Sequence, residues 1–261
     1  ITRFRFDETG RFLALLGYTA KEPAGRGASL RVVDVAAGTE ISLGDVTDFA
    51  WSDVASLLAL TIGTGKDSGN GVQLFDAGTG RLRSLDSSGS VYRGMSWRKD
   101  SDDLAAHRSV AMAGKKGTAH TTLAWRGLSG AEHKRFELAP DRVEGHEVVQ
   151  HGGLRWSDDG RMVSLGLRPK KEATEDDGKE PDDKPSESRK DSAGTDKKAD
   201  QPELPGFQLW HSSDVLIFPQ QKSAISRDER KTLLAVWHLD GNRVTRLGSD
   251  LDERCQLIGN W

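Results

Sequence analysis

The chain switches repeatedly between short apolar runs and short polar turns, and the switching has a period. Residues 6–15 read FDETGRFLAL, 51–60 WSDVASLLAL, 97–106 WRKDSDDLAA and 156–165 WSDDGRMVSL. Each copy opens on an aromatic (Phe6, Trp51, Trp97, Trp156), passes through a polar four-residue turn and enters an apolar segment. The aromatics are 45, 46 and 59 residues apart. The first two spacings sit near the roughly 40 to 45 residues of a four-stranded repeating unit.

A second pattern falls between these copies. Residues 30–43 read LRVVDVAAGTEISL, 72–85 VQLFDAGTGRLRSL, 122–138 TLAWRGLSGAEHKRFEL and 234–247 LAVWHLDGNRVTRL. Each is an apolar strand, a Gly-containing turn and a second strand ending in Leu, which is a hairpin signal. Two hairpins per repeat make four strands per repeat. A lone four-stranded sheet cannot cover both of its faces. Runs such as Phe12-Leu13-Ala14-Leu15-Leu16 and Leu57-Leu58-Ala59-Leu60 therefore need a neighbouring sheet on either side. The expected fold class is all-β: a β-propeller fragment of about four four-stranded blades, at 1–44, 45–87, 90–139 and 146–248. The first strand of a fifth is expected in 252–261. The repeating Trp is expected to wedge between adjacent sheets.

With strands a to d numbered outward in each blade, the a–b turns (DETG, SDVA, RKDS, SDDG) and the c–d turns (AAGTE, AGTG, LDGN) are short. The b–c connections, 19–28, 64–70, 112–120 and about 169–231, carry the length variation and emerge on one face. Insertions gathered on one face mark a binding face. The longest contains a charged stretch, about 169–205, whose first 35 residues carry 12 acidic and 8 basic side chains and only Ala as an apolar type. Such a segment buries too little to offset its ordering entropy and is expected to be disordered. After it, Phe207–Trp210 reads as a short strand and 220–231 as a helix with Arg227, Arg230 and Lys231 at its C-terminal end.

Composition adds limits. There are 29 Gly and 7 Trp against 2 Tyr, a balance that suits Gly turns and short strands. The formal net charge of −3 gives no basic excess for nucleic acid. Cys255 is the single cysteine, so no internal disulfide forms and the compartment, periplasmic or cytoplasmic, stays open. No run approaches the roughly 18 apolar residues of a membrane span, and no leader pattern follows Ile1, so any signal or anchor is expected outside this stretch.

Motifs with possible chemistry read better as structure. His146-Glu-Val-Val-Gln-His151 spaces its histidines by five, where a helical zinc motif needs four. Gly63-Thr-Gly65-Lys-Asp-Ser-Gly69 fits neither phosphate-loop pattern. Gly127-Leu-Ser129-Gly-Ala fails the nucleophile-elbow pattern at its last position. Asp100, Asp102, Asp103, Asp158 and Asp159 lie in turns, where Asp is favoured without any calcium. The other histidines, 107, 120, 133, 211 and 238, read as packing or surface residues. No catalytic, cofactor-binding or metal residue is expected, and no cofactor. The inner strands offer Arg3, Arg5, Asp48, Arg93 and Arg155, a set that could line a cationic channel for an acidic ligand.

The repeat W-S-D-D-G-R-x-V-S-L at 156–165 resembles the TolB-type propeller repeat and lacks the Gly-His and Trp-Asp signatures of WD40 proteins. The stretch FQLWHSSDVLIFPQQKSAISRDERKTLLAVWHLDGNRVTRLGSD at 207–250 resembles part of the amino-terminal propeller of bacterial prolyl-oligopeptidase-like serine peptidases. That resemblance implies a non-catalytic domain that gates or selects substrate for an α/β-hydrolase domain carrying the triad. The alternative is a stand-alone TolB-like scaffold for a protein or peptide ligand. Neither implies a nucleic-acid or membrane partner.

Overall fold

A computed structural model describes residues 1–18, 25–66, 68–111, 118–130, 132–170, 230–251, 253, 255–258 and 261. The charged stretch, apart from Pro169 and Lys170, the strand expected at 207–210 and all but the end of the helix expected at 220–231 lie outside them. The chain divides into two units, one comprising Ile1–Lys170 with Arg230–Trp261, the other Lys171–Glu229. The first is described below.

It is built from antiparallel strands. The first blade comprises β1 (Arg3–Phe6), β2 (Phe12–Leu16), β3 (Ala28–Asp34) and the start of β4 (Thr39–Trp51). The second takes the rest of β4, then β5 (Leu57–Ile62), β6 (Asn70–Asp76) and β7 (Arg81–Ser88). β4 pairs with β3 over Thr39–Val46 and with β5 over Val46–Trp51, so it is outer strand of one blade and inner strand of the next. These seven strands form one sheet in sequential order. A third blade follows as β8 (Tyr92–Trp97), β9 (Leu104–Ala111), β10 (Thr118–Arg126) and β11 (Lys134–Leu138). In the fourth, β12 (His146–Val149) and β13 (Arg155–Trp156) share one edge of β14 (Met162–Pro169), followed by β15 (Leu233–His238) and β16 (Arg243–Arg246). The arrangement is that of propeller blades in an open series, and none of the three sheets closes on itself. In the segment expected to start a fifth blade, the described residues 253, 255–258 and 261 carry no strand. The Trp261 carbonyl accepts the Asp158 N–H at 2.9 Å.

Strand alternation explains the continuous apolar runs. In β5, Leu58 and Leu60 pack toward the first blade with Leu30, Val32 and Phe49. Leu57 and Ala59 pack toward the third with Leu104, Leu123 and Trp125. In β9, Leu104 and Ala106 join that second cluster while Ala105 joins Val148, Leu165 and Trp237 against the fourth blade. β5 and β9 are thus apolar on both faces because each face meets a different sheet. Among the described residues no sheet covers the far side of the first blade, and Phe4 and Phe6 are 66% and 47% exposed.

The repeated tryptophans tie consecutive blades by one recurring hydrogen bond. Trp51 Nε1 donates to the Arg5 carbonyl at 3.1 Å, Trp97 Nε1 to Ala50 at 2.9 Å and Trp156 Nε1 to Ser96 at 3.0 Å. The acceptor is each time the residue just before the preceding blade's aromatic. The turns add cross-blade bonds: Ser56 Oγ to Asp7 Oδ2, the Asp100 N–H to Asp53 Oδ2, and Arg98 to the Asp158 carbonyl. The wedges are not equivalent, since Trp156 is 7% exposed whereas Trp97 is only half-buried.

Two substitutions separate packing from the bond. Trp156→Phe removes the N–H and is expected to cost about 0.5 to 1.5 kcal/mol in urea unfolding. Trp156→Ala also empties the site and should cost about 3 to 5 kcal/mol, more than Trp97→Ala. Equal losses at the two tryptophans would contradict the difference in burial.

Candidate functional site

The inner strands carry an uneven charge pattern. Arg3 on β1 reaches across to Asp48 on β4, donates to the Phe49 carbonyl at 2.8 Å and stacks over the Phe49 ring at 4.1 Å. This pair spans the first two blades, so part of the expected cationic channel is neutralised. Arg5, Arg93 and Arg155 stay exposed on β1, β8 and β13.

A cavity of about 400 Å³ opens on the turn face of the third blade, lined by Arg98, Asp102, Asp103, Arg126, Glu132 and Lys134. Asp103 is 3% exposed. It accepts Arg98 Nε at 2.9 Å and the Gly127 N–H at 2.9 Å, with Arg126 at 3.6 Å. Arg126 and Lys134 stand directly opposite across β10 and β11, a like-charge pairing that a sheet does not favour on its own. Gly160 is held to glycine here, since a Cβ would come within 2.9 Å of the Arg98 guanidinium, at a φ of +67°.

A buried ionic cluster joins the second and third blades. Asp86, 9% exposed, accepts Tyr92 Oη at 2.7 Å and Arg108 at 2.9 Å, and pairs with Arg135 at 3.0 Å. Arg108 and Arg135 both continue to Glu137. Burial, with the Asp86 charge beside it, pushes the Tyr92 hydroxyl up to about 12.

The motifs with possible chemistry are dispersed. His146 on β12 donates from Nδ1 to the Glu144 carbonyl at 2.9 Å and has Nε2 3.1 Å from Arg246. In the glycine-rich loop, Asn70 Oδ1 accepts the Thr64 N–H at 2.8 Å, closing a local turn. Ser129 sits in the β10–β11 turn, its N–H bonded to Asp102. Asp7 and Asp159 accept turn N–H groups, from Phe12 and Arg161. Among the described residues, no histidine hydrogen-bonds to a serine or cysteine; the partners are main chain, threonine hydroxyls and Arg246. What the arrangement can do is bind charged groups.

One constellation escaped the sequence reading. His107 on β9 and His120 on β10 meet between the third and fourth blades, 0% and 5% exposed, with ring centroids 5.7 Å apart. Burial, and then the charge of His120, holds His107 down at about 3. Burial also lowers His120, with Arg93 and His151 adding repulsion, against the raising effect of a ring bond to the Val148 carbonyl. The cross-strand offset was available in the sequence, but the pairing register was not.

No family model matches the chain and no curated protein matches it. Among solved structures it is similar to TolB from Acinetobacter baumannii, at 11% identity and a TM-score of 0.40 over 94% of this chain and 43% of that one. It is also similar to the Pyrococcus horikoshii acylaminoacyl peptidase, at 11% and 0.39 over 65% and 30%. A third is the β-propeller domain of the Trilobed protease from Pyrococcus furiosus, at 11% and 0.32 over 65% of each chain. The chain spans under half the length of the first two. The strand pairing itself carries the fold, that of four-stranded antiparallel propeller blades in an open series.

The histidine pair makes stability depend on pH. Unfolded imidazoles take up protons near pH 6.5; folded His107 does so only at about 3, and folded His120 below its ordinary value. Between those values the unfolded state holds more protons, so stability is full above pH 6.5 and falls toward pH 3. The slope contributed is up to about 1.4 kcal/mol per pH unit for each histidine. Chemical unfolding from pH 7.5 to 4.5 should show that decline, and it should be smaller in His107→Gln. A slope unchanged by that substitution would contradict the buried neutral pair.

Proposed function

We propose that this chain is the non-catalytic propeller portion of a prolyl-oligopeptidase-like serine peptidase, gating or selecting substrate for a hydrolase domain. What supports the non-catalytic part is the bonding of the described histidines to main chain, threonine hydroxyls and Arg246. The peptidase part rests on the resemblance at 207–250, most of which lies outside the described residues. Exposed Arg5, Arg93 and Arg155 on the inner strands suit contact with the carbonyls and carboxylates of an entering peptide.

The second reading is a TolB-like interaction scaffold for a protein or peptide ligand. It is favoured by the mixed-charge cavity on the turn face, where Arg126 and Lys134 stand opposed across the hairpin.

Active-site labelling separates the two. The native protein, captured from its source cells with an antibody to this chain, is treated with a fluorophosphonate probe. Labelling of the captured polypeptide, with none on the isolated chain, is the expected result. An unlabelled native polypeptide, under conditions that label a control serine peptidase, would favour the scaffold.

A further inference from the structure

His107 and His120 each have one ring nitrogen engaged and one without a partner. His107 Nδ1 lies 3.2 Å from Thr122 Oγ1, and the His120 ring bonds the Val148 main chain. His107 Nε2 and His120 Nδ1 are buried with no hydrogen-bond partner. An orphaned buried polar atom is unusual and unfavourable, and here two occur on adjacent rings. Donation to Val148 leaves a lone pair on His120 Nδ1. In the tautomer that donates from His107 Nδ1 to the Thr122 oxygen, one lone pair stands on Nε2. Metal-binding imidazoles are held in this way, with the outer nitrogen donating to an oxygen and the inner one free to ligate. Two imidazoles on one tetrahedral ion, each nitrogen about 2.0 to 2.1 Å from it, put their ring centroids roughly 5 to 6 Å apart. The observed separation is 5.7 Å, at 67° between the ring planes.

The surrounding backbone is irregular on both sides. The β8–β9 pairing shifts between Arg93 and Ser96. Gly94 there, at a φ of +67°, would place a Cβ 3.3 Å from His107 Cδ2. Across the interface the inner strand of the fourth blade is interrupted between Val149 and Arg155, where Gly152 and Gly153 have φ of +100° and +66°. Irregular strands of this kind recur beside functional sites. His151, half-buried, lies in that interruption. Arg93 from β8 and His151 are the charged and titratable neighbours acting on His120.

We propose that His107 Nε2 and His120 Nδ1 form a two-histidine site for a transition-metal ion with a preference for imidazole, such as Zn²⁺, Co²⁺, Ni²⁺ or Cu²⁺. His151, half-buried in the interrupted strand, is a further imidazole whose charge acts on His120. Among the described residues no three His, Cys, Asp or Glu side chains are grouped to hold an ion together, so the affinity is that of a two-ligand site. Arg93 opposes the incoming cation. The inference is independent of the peptidase reading.

The test uses the full chain, stripped with chelator and titrated with Co²⁺ and Zn²⁺, while histidine ring signals are followed by NMR. Stoichiometric Co²⁺ is expected to broaden the His107 and His120 signals first, with those of His133 and His238 retained. Zn²⁺ should raise the Tm. His120→Gln should weaken Zn²⁺ binding by about tenfold or more, and Arg93→Gln, at an exposed position, should tighten it by removing a positive charge. If His120→Gln does not fold, the ring signals and Arg93→Gln decide. Retention of both ring signals in excess Co²⁺ would overturn the site and leave a bridging water as its occupant. Weaker binding in Arg93→Gln would overturn it as well.

Discussion

The structure depends on the contact between one inner strand and the next, where an indole reaches back to donate its N–H to the preceding blade. Trp51, Trp97 and Trp156 make this bond in the same register, each to the residue before the previous aromatic. The bond fixes the relative height of neighbouring sheets, which apolar packing alone leaves free to slide. Once height is fixed, alternation along β5 and β9 sends successive side chains to opposite neighbours, and one strand serves two cores. The polar bridges between turns, Ser56 to Asp7 and Arg98 to Asp158, close only at that same height.

Much of this was legible in the sequence because propeller blades repeat. The aromatic positions located the inner strands, and the Gly-containing hairpins located the outer ones. The doubled role of β4 was less visible. The chain passes from outer to inner strand without a hairpin, and the junction shows in the positive φ of Asp45, after Gly44, and in the register shift between Val46 and Asp48. In the fourth blade the inner edge is made by His146–Val149 and Arg155–Trp156, and the stretch between them is interrupted at Gly152 and Gly153, both at positive φ.

The site was less legible than the fold, for a physical reason. Candidate arginines could be listed from the inner strands, but whether each is paired depends on the neighbouring blade. Arg3 finds Asp48, while Arg93 stands across from His107 in register and its charge acts on His120. His107 and His120 lie on adjacent strands of one hairpin whose connection gives no register. Each looks like an isolated core histidine until Thr122 and Val148 are placed beside the rings. Burial between the sheets keeps both imidazoles neutral below their usual range.

The central claim is that the indole bonds lock successive blades in register. Hydrogen exchange at the tryptophan Nε1–H groups, read by NMR on the folded chain, tests it most directly. The account predicts that the indole protons of Trp51, Trp97 and Trp156 exchange far more slowly than a free indole, with Trp156 the slowest. Exchange of all three at the free-indole rate, in a chain whose strands remain protected, would contradict it.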